Sequence, residues 1–334
     1  MSRLLDAKAT SVDKEEEKTL RPQTLDSYVG QKDLKDNLRV FIGAALHRDE
    51  PIDHILFYGP PGLGKTTLAF VIANEMHAHI HVTSGPALEK TGDLAAILAE
   101  LEPGDVLFID EIHRLPRIVE EALYTAMEDF KFSVMINRDS GSRALTLDLP
   151  PFTLIGATTR AGNLSSPLRA RFGITEKLNF YTEDEVEQIV LRTAKVFNCT
   201  IDKEAAKEIA KRSRGTPRIA NRLFKRVRDF ANFQKKDDIS YQDAINALTA
   251  LKVDSIGLDD VDIRYLQTLI TRFHGGPVGL DTLANAIGEE IQNLEDVYEP
   301  YLLQIGMIDR TPRGRLASEK AYKHLKILHQ ETLF

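Results

Sequence analysis

The chain has 334 residues, of which 43% are hydrophobic, so it is long enough to form two or three domains with their own cores. Its net charge of −7 excludes a protein whose whole surface attracts nucleic acid, and any contact with DNA must come from a local basic patch. The single cysteine, Cys199, excludes a disulfide framework and a zinc ribbon. No apolar run approaches the ~18 residues of a membrane span, and no segment resembles a signal peptide, so we expect a cytoplasmic location.

In chain order, residues 1–19 are polar, with an acidic block at 13–17, and we expect them to form a mobile tail. From 20 to 181, apolar runs alternate with helical stretches. The predicted strands cover 55–58, 80–83, 106–109 and 153–157. This alternation predicts a parallel sheet covered by helices, with the ligand at the carboxyl ends of the strands.

The first strand is followed by Gly59-Pro-Pro-Gly-Leu-Gly-Lys65-Thr66 and then by a helical run that starts at Thr67. The order strand, glycine loop, helix is the context that a phosphate-binding P-loop requires. The glycines let backbone amides surround a β-phosphate, and the helix N-terminus adds partial positive charge. Lys65 is placed to contact the β- and γ-phosphates, and the Thr66 hydroxyl to bind Mg²⁺. The chain is therefore predicted to bind a nucleoside triphosphate.

The third strand ends in Asp110 and Glu111. Asp110 is suited to the coordination shell of Mg²⁺, and Glu111 to orienting and polarising the attacking water. Phosphoryl transfer needs separate groups for these two roles. His113 follows two residues later, and a polar residue at a helix entry explains it equally well.

The fourth strand ends in Thr158 and Thr159, whose hydroxyls are candidates for contact with the γ-phosphate or the water, although threonines are also common in loops. Arg169 and Arg171 follow a short helix near Pro167. An arginine that enters the site from a neighbouring subunit would neutralise transition-state charge. Arg218, in the run Gly-Thr-Pro-Arg, is a candidate to close onto the γ-phosphate and to convert hydrolysis into domain rotation.

Residues 182–254 show a helix-only pattern, with apolar residues three or four apart. The predicted helices cover 183–197, 203–212, 219–233 and 241–251. Asp202 and Ser240 are candidate N-caps. A small helical bundle is predicted.

Residues 255–334 form a third predicted unit. It contains helices over 259–273, 280–287 and 293–304, a hairpin over 307–316 and a last basic helix. The order of three helices followed by a hairpin predicts a winged-helix domain.

The segment 305–329 contains six basic residues against two acidic ones. The basic residues are Arg310, Arg313, Arg315, Lys320, Lys323 and Lys326. This enrichment favours contact with phosphate backbones. The alternative is an ordinary wing whose basic side chains only contact water. The acidic residues of the helix 293–304 argue against base recognition in the major groove.

In this order, the motifs resemble those of AAA+ ATPases, and over about residues 15–330 they resemble those of the bacterial Holliday-junction branch-migration motors. The run Arg21-Pro-Gln-Thr-Leu-Asp-Ser-Tyr28-Val-Gly-Gln31 resembles the family's nucleotide-base box, and residues 310–315 resemble its wing. The resemblance implies an α/β P-loop AAA+ domain at 20–181, a small all-α lid domain at 182–254 and a winged-helix DNA-binding head at 255–334, after the tail at 1–19.

The resemblance also implies roles for individual residues. It assigns ATP binding to Leu20, Arg21, Tyr28, Gly62, Gly64, Lys65, Thr66, Thr67, Tyr181 and Arg218. It assigns Mg²⁺ binding to Thr66 and Asp110, and catalysis to Lys65, Asp110, Glu111, Thr159, Arg171 and Arg218. Thr159 matches the sensor-1 position best, with Thr158 close behind, Arg171 matches the arginine finger and Arg218 matches sensor 2. It assigns DNA binding to Arg310, Arg313 and Arg315.

The activity implied is that of an ATP-hydrolysing DNA motor, a homohexameric ring that moves Holliday junctions in homologous recombination, DNA repair and the SOS response. The implied partners are double-stranded junction DNA, a RuvA-type junction-binding protein and, indirectly, a RuvC-type resolvase, with no membrane partner. A hairpin at about 131–149 would dock the RuvA-type protein, although an apolar hairpin is also typical of internal packing.

Three other functions remain possible at this point. Many clamp-loader subunits carry a zinc module and a Ser-Arg-Cys finger, which this chain lacks. Glu111 and Arg171 disfavour a winged-helix regulator whose P-loop only senses nucleotide. The basic wing disfavours a protein-remodelling AAA+ unfoldase.

Overall fold

The computed structural model describes residues 4–6, 19–138 and 141–328. The chain forms two units, which are described separately: the first covers residues 12–181, and the second covers residues 182–334 together with residues 1–11. Most of the predicted tail, 1–19, lies outside the described residues. In its described part, which belongs to the second unit, Leu5 is buried, and the backbone carbonyl of Asp6 accepts a hydrogen bond from Arg222 of the lid. Within the described ranges, no helix is long and apolar enough to cross a membrane.

The first unit is built on a parallel sheet. Its strands are β1 (Ile55–Tyr58), β2 (Ile80–Ser84), β3 (Val106–Asp110), β4 (Lys131–Arg138), β5 (Gly141–Asp148), β6 (Thr153–Thr158) and β7 (Ile174–Lys177). Five of them pair in the order β2-β3-β6-β1-β7, and β4 and β5 form a separate antiparallel hairpin. The predicted parallel sheet is confirmed. The edge strand β7 was not predicted because Thr175, Glu176 and Lys177 give it no apolar run.

Helices and a hydrophobic core cover this sheet. The helices span Lys32–Arg48, Lys65–Glu75, Thr91–Leu98, Arg117–Glu128 and Ser166–Ala170. Strand β6 is buried along its whole length, and strand β3 is buried except for its last residue. Burial on both faces explains why these strands appear in the sequence as continuous apolar runs and not as alternating ones.

The strand order determines where the polar motifs meet. Strand β6 lies between β1 and β3, and all three are parallel. The amide of Gly59, just after β1, donates to the carbonyl of Thr158 at the end of β6 over 3.2 Å. The P-loop, the threonine pair and the Asp110–Glu111 pair therefore follow neighbouring strand ends at one edge of the sheet.

The second unit begins with the predicted helical lid. Its helices span Glu183–Val196, Lys203–Lys211, Pro217–Phe233 and Tyr241–Ala250. Ser240 caps the last of these by accepting from the amide of Asp243, as predicted. Asp202 does not cap its own helix, because its carboxylate accepts from the amide of Tyr241 instead. Two strands of two residues each, β8 (Thr200–Ile201) and β9 (Asp238–Ile239), are too short to show a periodic pattern in the sequence.

The capping box of the last lid helix predicts a pH-dependent contribution to stability. Lys236 Nζ lies 2.6 Å from Asp243 Oδ1, and the amide and hydroxyl of Ser240 donate to Asp243 Oδ2. These hydrogen bonds lower the pKa of Asp243, and the bond from Lys236 has the largest effect. The stabilisation is present above the unfolded-state pKa of about 3.9, and it is lost as the pH falls through the lower folded-state pKa.

We expect Asp243→Ala to lower the free energy of unfolding by about 1 kcal/mol at pH 7. The difference from the parent protein should shrink as the pH falls below the folded-state pKa of Asp243. Thermal unfolding at a series of pH values measures both effects, with the exposed residue Asp237, changed to Ala, as the control. A loss of stability that is independent of pH would contradict the assignment.

The winged-helix prediction is confirmed. Its elements are helices Asp260–Thr271 and Leu280–Ile287, a helical segment from residue 291 to 304, strands β10 (Ile308–Thr311) and β11 (Gly314–Ala317), and helix Glu319–Leu325. The segment predicted as one helix over 293–304 is interrupted by a wide π-turn at Leu294–Tyr298. Pro300 follows this turn, and it has no amide to donate to the carbonyl four residues earlier.

A buried ion pair joins the lid to the winged-helix domain within this unit. Arg214 and Asp262 are 3% and 0% exposed, and the guanidinium contacts the carboxylate directly. Arg214 Nε also donates to the carbonyl of Gly257 over 2.8 Å. Burial raises the pKa of Asp262 to about 7, against the lowering effect of the guanidinium. The two domains of this unit are therefore connected by a buried Arg–Asp contact that is shielded from water.

Candidate active site

The loop between β1 and helix Lys65–Glu75 has a conformation that requires glycine. Gly59, Gly62 and Gly64 have φ angles of +143°, +77° and +98°. A Cβ atom at Gly59 would lie 2.6 Å from the carbonyl oxygen of Leu178, and one at Gly64 would lie 2.7 Å from the hydroxyl of Tyr28. These contacts are too close for any side chain. The backbone geometry therefore agrees with the P-loop expected from the sequence.

Lys65 begins the helix that follows, and its ammonium folds over the loop. Its Nζ donates to the carbonyls of Gly59 and Pro60 at 2.8 Å each. The helix contacts β3 and β6, the two strands whose ends carry Asp110 and the threonine pair. The helix N-terminus and the ammonium both place positive charge at the loop, which suits a polyphosphate.

The residues present fit one Mg²⁺ ion that is held together with phosphate. Thr66 offers a hydroxyl and Asp110 a carboxylate, both of them hard oxygen ligands. Among the residues that the structure covers, no group of three or more His, Cys, Asp or Glu side chains could hold a metal. A magnesium site completed by substrate phosphates and water needs only one or two protein ligands.

We expect Lys65→Ala to abolish measurable ATP binding, because no other group would replace the ammonium against the β- and γ-phosphates. Titration with a fluorescent ATP analogue measures this effect. Lys203→Ala, which removes an exposed lysine of the lid, is the matched control and should bind normally. ATP binding by Lys65→Ala at parent affinity would contradict the assignment of the loop.

Two of the predicted base-binding residues, Tyr28 and Tyr181, contact the loop. Both are buried, as is Leu20. The Tyr181 hydroxyl donates to Tyr28 Oη at 2.9 Å and lies 3.1 Å from the carbonyl of Leu63 in the loop itself. The two tyrosines therefore support the loop conformation, a role that the sequence did not indicate.

The segment that carries Arg21 is attached to the P-loop helix. The Arg21 guanidinium lies over the ring of Phe70 at 3.7 Å from its centroid. The amide of Leu25 donates to Glu75 Oε1 at 2.8 Å. Both Phe70 and Glu75 belong to helix Lys65–Glu75, so the predicted nucleotide-base box and the phosphate loop are joined through one helix.

Asp110 and Glu111 differ in environment. Asp110 Oδ1 accepts from the amide of Glu111 at 3.0 Å, and the backbone of Glu111 is left-handed, with a φ of +51°. The Glu111 side chain is 40% exposed and lies 3.8 Å from Arg114 and 4.0 Å from His113. The two carboxylates thus have different neighbours: a backbone amide for Asp110, and His113 and Arg114 for Glu111.

The two threonines at the end of β6 are also different. Thr158 is 1% exposed, its Oγ1 lies 2.9 Å from His113 Nδ1, and it accepts from the amide of Arg160 at 3.0 Å. Thr159 is more exposed. The hydroxyl of Thr158 is therefore engaged inside the protein, which favours Thr159 as the residue that contacts the ligand.

Arg171 is held by helix Arg117–Glu128. Its guanidinium pairs with Glu128 at 3.0 Å, donates to the carbonyl of Pro167 at 2.8 Å and lies 4.3 Å from the centroid of the Tyr124 ring. Tyr124 and Glu128 are four residues apart, so they share one helix face. The sequence predicted Arg171 but not these two residues, because the contact joins distant segments.

The remaining predicted residues lie in the second unit. Arg218 is the second residue of helix Pro217–Phe233 and is half-buried. In the wing, Arg310 and Arg313 are exposed, and Arg310 lies 3.3 Å from Glu295.

Arg315 is less exposed than the other two residues predicted to bind DNA. Its side chain is 11% exposed, and Nε and Nη2 donate to the two carboxylate oxygens of Glu299 at 2.8 and 3.0 Å. Tyr265 donates to the same carboxylate. These bonds attach the wing to the helices and engage Nε and Nη2 but not Nη1. The DNA contact of Arg315 stays a prediction.

The fold and the site define an AAA+ P-loop ATPase. One edge of the sheet carries the phosphate loop, the paired carboxylates and the two threonines that end β6. A helical lid and a winged helix follow in the chain. Three family models match the chain in succession: the Holliday junction DNA helicase RuvB P-loop domain at 20–178, the RuvB AAA lid domain at 181–254 and the RuvB C-terminal winged helix domain at 255–326. The chain belongs to the RuvB family.

Solved structures agree with this assignment. The chain is 53% identical to the Thermotoga maritima RuvB Holliday junction branch migration motor, with a TM-score of 0.83, over 93% of this chain and 99% of that one. Two mutants of the Thermotoga protein give similar values. The first is 53% identical to this chain, with a TM-score of 0.84, over 92% of this chain and 99% of the mutant chain. The second is 54% identical, with a TM-score of 0.82, over 92% of this chain and 98% of the mutant chain.

Proposed function

We propose that this protein is an ATP-driven, Mg²⁺-dependent motor that moves Holliday junctions in homologous recombination and DNA repair, including the SOS response. The observation that carries the proposal is the arrangement at one sheet edge. The P-loop after β1, the Thr158–Thr159 end of β6 and the Asp110–Glu111 end of β3 follow adjacent parallel strands. The match to RuvB in all three domains supports the choice of this motor over a clamp loader or an unfoldase.

The proposed reaction divides the roles among the residues of the site. Lys65 binds the phosphates, Thr66 and Asp110 hold Mg²⁺, and Glu111 orients the water, while Leu20, Arg21, Tyr28, Gly62, Gly64, Thr67 and Tyr181 form the rest of the nucleotide pocket. When bound, Mg²⁺ neutralises developing charge on the phosphates. Thr159 and Arg218 are the proposed sensors of the γ-phosphate. The domain limits 20–181, 182–254 and 255–334 belong to the same proposal.

We propose a homohexameric ring in which Arg171 acts on the ATP of the neighbouring subunit. The support is that Arg171 is held by Glu128, Pro167 and Tyr124 in a defined orientation, with 20% of its side chain exposed. A guanidinium oriented in advance loses less side-chain entropy when it contacts a triphosphate than a mobile one does.

DNA contact is proposed for Arg310 and Arg313, which are exposed on the wing, and for Arg315, whose Nη1 is not engaged by Glu299. Contact with phosphates alone suits a motor that must pass along any sequence. A RuvA-type protein is the proposed partner at the hairpin of β4 and β5, and a RuvC-type resolvase is an indirect one. A cytoplasmic location is part of the proposal.

A synthetic four-way junction tests the proposed function. With ATP and Mg²⁺, the protein should separate the junction into two duplexes, and a RuvA-type protein should accelerate this step. Native gel electrophoresis of a labelled junction measures it, with a plain duplex as the control substrate. ATP hydrolysis without junction separation, with and without the partner, would favour the clamp-loader interpretation.

The hairpin makes a separate prediction. Charged substitutions at Ile136 or Leu147, such as Leu147→Glu, should abolish stimulation by a RuvA-type protein and leave DNA-independent ATP hydrolysis unchanged, because among the described residues the hairpin strands do not pair with the central sheet and Leu147 is only half-buried. Pull-down with the partner measures binding, and Thr146→Glu, at an exposed position, is the control. Normal partner binding by a folded variant would contradict docking at the hairpin.

A further inference from the structure

His113 lies between two of the strand ends that form the candidate site. It follows β3 in the turn Ile112–Arg114, and its ring Nδ1 is 2.9 Å from Thr158 Oγ1 at the end of β6. Its other ring nitrogen, Nε2, is 4.0 Å from Glu111 Oε2. The side chain is only 9% exposed. One buried imidazole therefore faces both the carboxylate expected to orient water and the strand expected to sense phosphate.

The hydrogen-bond network indicates which nitrogen of His113 carries the proton. The Glu111 carboxylate near Nε2 can only accept, so a proton on Nε2 suits this neighbour, and Thr158 Oγ1, which accepts the amide proton of Arg160, can donate its own proton to Nδ1. A neutral imidazole that accepts at Nδ1 carries its proton on Nε2. Burial lowers the pKa of His113 more than Glu111 raises it, which favours the neutral ring at pH 7. The Nε2–H group then faces Glu111.

Arg114 also lies near Glu111, at 3.8 Å, but its side chain is 58% exposed. Water screens an exposed pair and leaves its geometry loosely defined. His113 is buried and is fixed at its far nitrogen by Thr158. It is therefore the neighbour that can hold Glu111 in one orientation.

We propose that His113 is a positioning residue, which orients Glu111 through Nε2 and links that orientation to the end of β6 through Nδ1. This inference rests on the proposed function, in which Glu111 orients the attacking water and the end of β6 senses the γ-phosphate. The Nε2–Oε2 distance shortens to hydrogen-bond length with a movement of about 1 Å. A displacement of the Thr158–Thr159 segment by ligand moves the imidazole, and the imidazole moves the carboxylate.

Two conservative substitutions separate the two contacts. His113→Asn retains a polar group near the Nδ1 position and loses the contact with Glu111, whereas His113→Gln retains a group near Nε2 and loses the contact with Thr158. We expect both variants to bind ATP with parent affinity and to hydrolyse it with a kcat about 10-fold lower, the scale seen when an orienting partner is removed. Parent kcat in both would overturn the proposal. The test does not depend on His113→Ala: if that variant does not fold, His113→Asn and His113→Gln suffice to test the proposal.

A double-mutant cycle distinguishes positioning from a general structural role. If His113 acts through the Glu111 carboxylate, then His113→Asn should change single-turnover hydrolysis less than 2-fold in a Glu111→Gln background, against about 10-fold in the parent. A full 10-fold effect in both backgrounds would overturn the proposal. Parent turnover in Glu111→Gln alone would instead contradict the proposed role of Glu111, so the two failures are distinguishable.

Discussion

Glu111→Gln should bind ATP and Mg²⁺ as the parent protein does and should hydrolyse ATP at least about 10²-fold more slowly. The amide has nearly the shape of the carboxylate but cannot accept a proton from water or polarise it as strongly. Because the contact between Glu111 and Asp110 is made by the backbone amide of Glu111, the side-chain change leaves the proposed magnesium ligand in place. Equilibrium binding of a fluorescent ATP analogue and a phosphate-release assay, with and without DNA, measure the two quantities.

Glu100→Gln is the matched control, because it makes the same change at an exposed position outside the site. It should leave both binding and turnover unaltered. Loss of ATP binding in Glu111→Gln would show that the carboxylate belongs to the binding site and not to the hydrolytic step. Unchanged turnover would remove the main distinction between this protein and a nucleotide-sensing regulator.

Arg171→Ala should retain ATP binding and lose roughly 10³–10⁵ in turnover, the range found when an arginine finger is removed. If the finger acts between subunits, the loss can be rescued by mixing. A Lys65→Ala subunit cannot bind ATP but still carries Arg171, and an Arg171→Ala subunit binds ATP but lacks the finger. Each variant alone should be inactive, and mixed rings should regain part of the activity because some sites then contain both groups.

Arg169→Ala, two residues away and exposed, is the control for the arginine substitution and should hydrolyse ATP normally. Steady-state phosphate release from pre-mixed subunits measures the rescue, and sedimentation confirms that the rings assemble. Assembled mixtures that stay inactive would argue against a shared site. Full activity of the isolated subunit would argue against the ring motor as a whole.

The parts of the fold that could be predicted are those encoded by neighbouring residues. The P-loop is a continuous run whose glycines occupy left-handed conformations, and helix Leu280–Ile287 has its predicted limits because Gly279 precedes it and Gly288, with a φ of +74°, ends it. The sheet was predictable because its central strands are continuous apolar runs. The residues that follow these strands were therefore predicted together.

The parts that could not be predicted depend on contacts between distant segments. Arg315 appears in the sequence as one of several basic wing residues, but Glu299, 16 residues earlier, binds its guanidinium inside the domain. His113 and Thr158 are 45 residues apart, so no local pattern indicates that the histidine reaches the end of β6. Local patterns identify the type of residue, and only the tertiary structure determines whether it faces a ligand or another side chain.

The Arg214–Asp262 pair has a mechanical consequence for the second unit. Arg214 directly precedes Gly215-Thr-Pro-Arg218, the turn that opens helix Pro217–Phe233, and its partner belongs to the first helix of the winged domain. Removal of either partner by mutation would leave the other one buried and unpaired, at a cost of about 3–5 kcal/mol. We therefore expect the turn before helix Pro217–Phe233 and the first helix of the winged domain to move together.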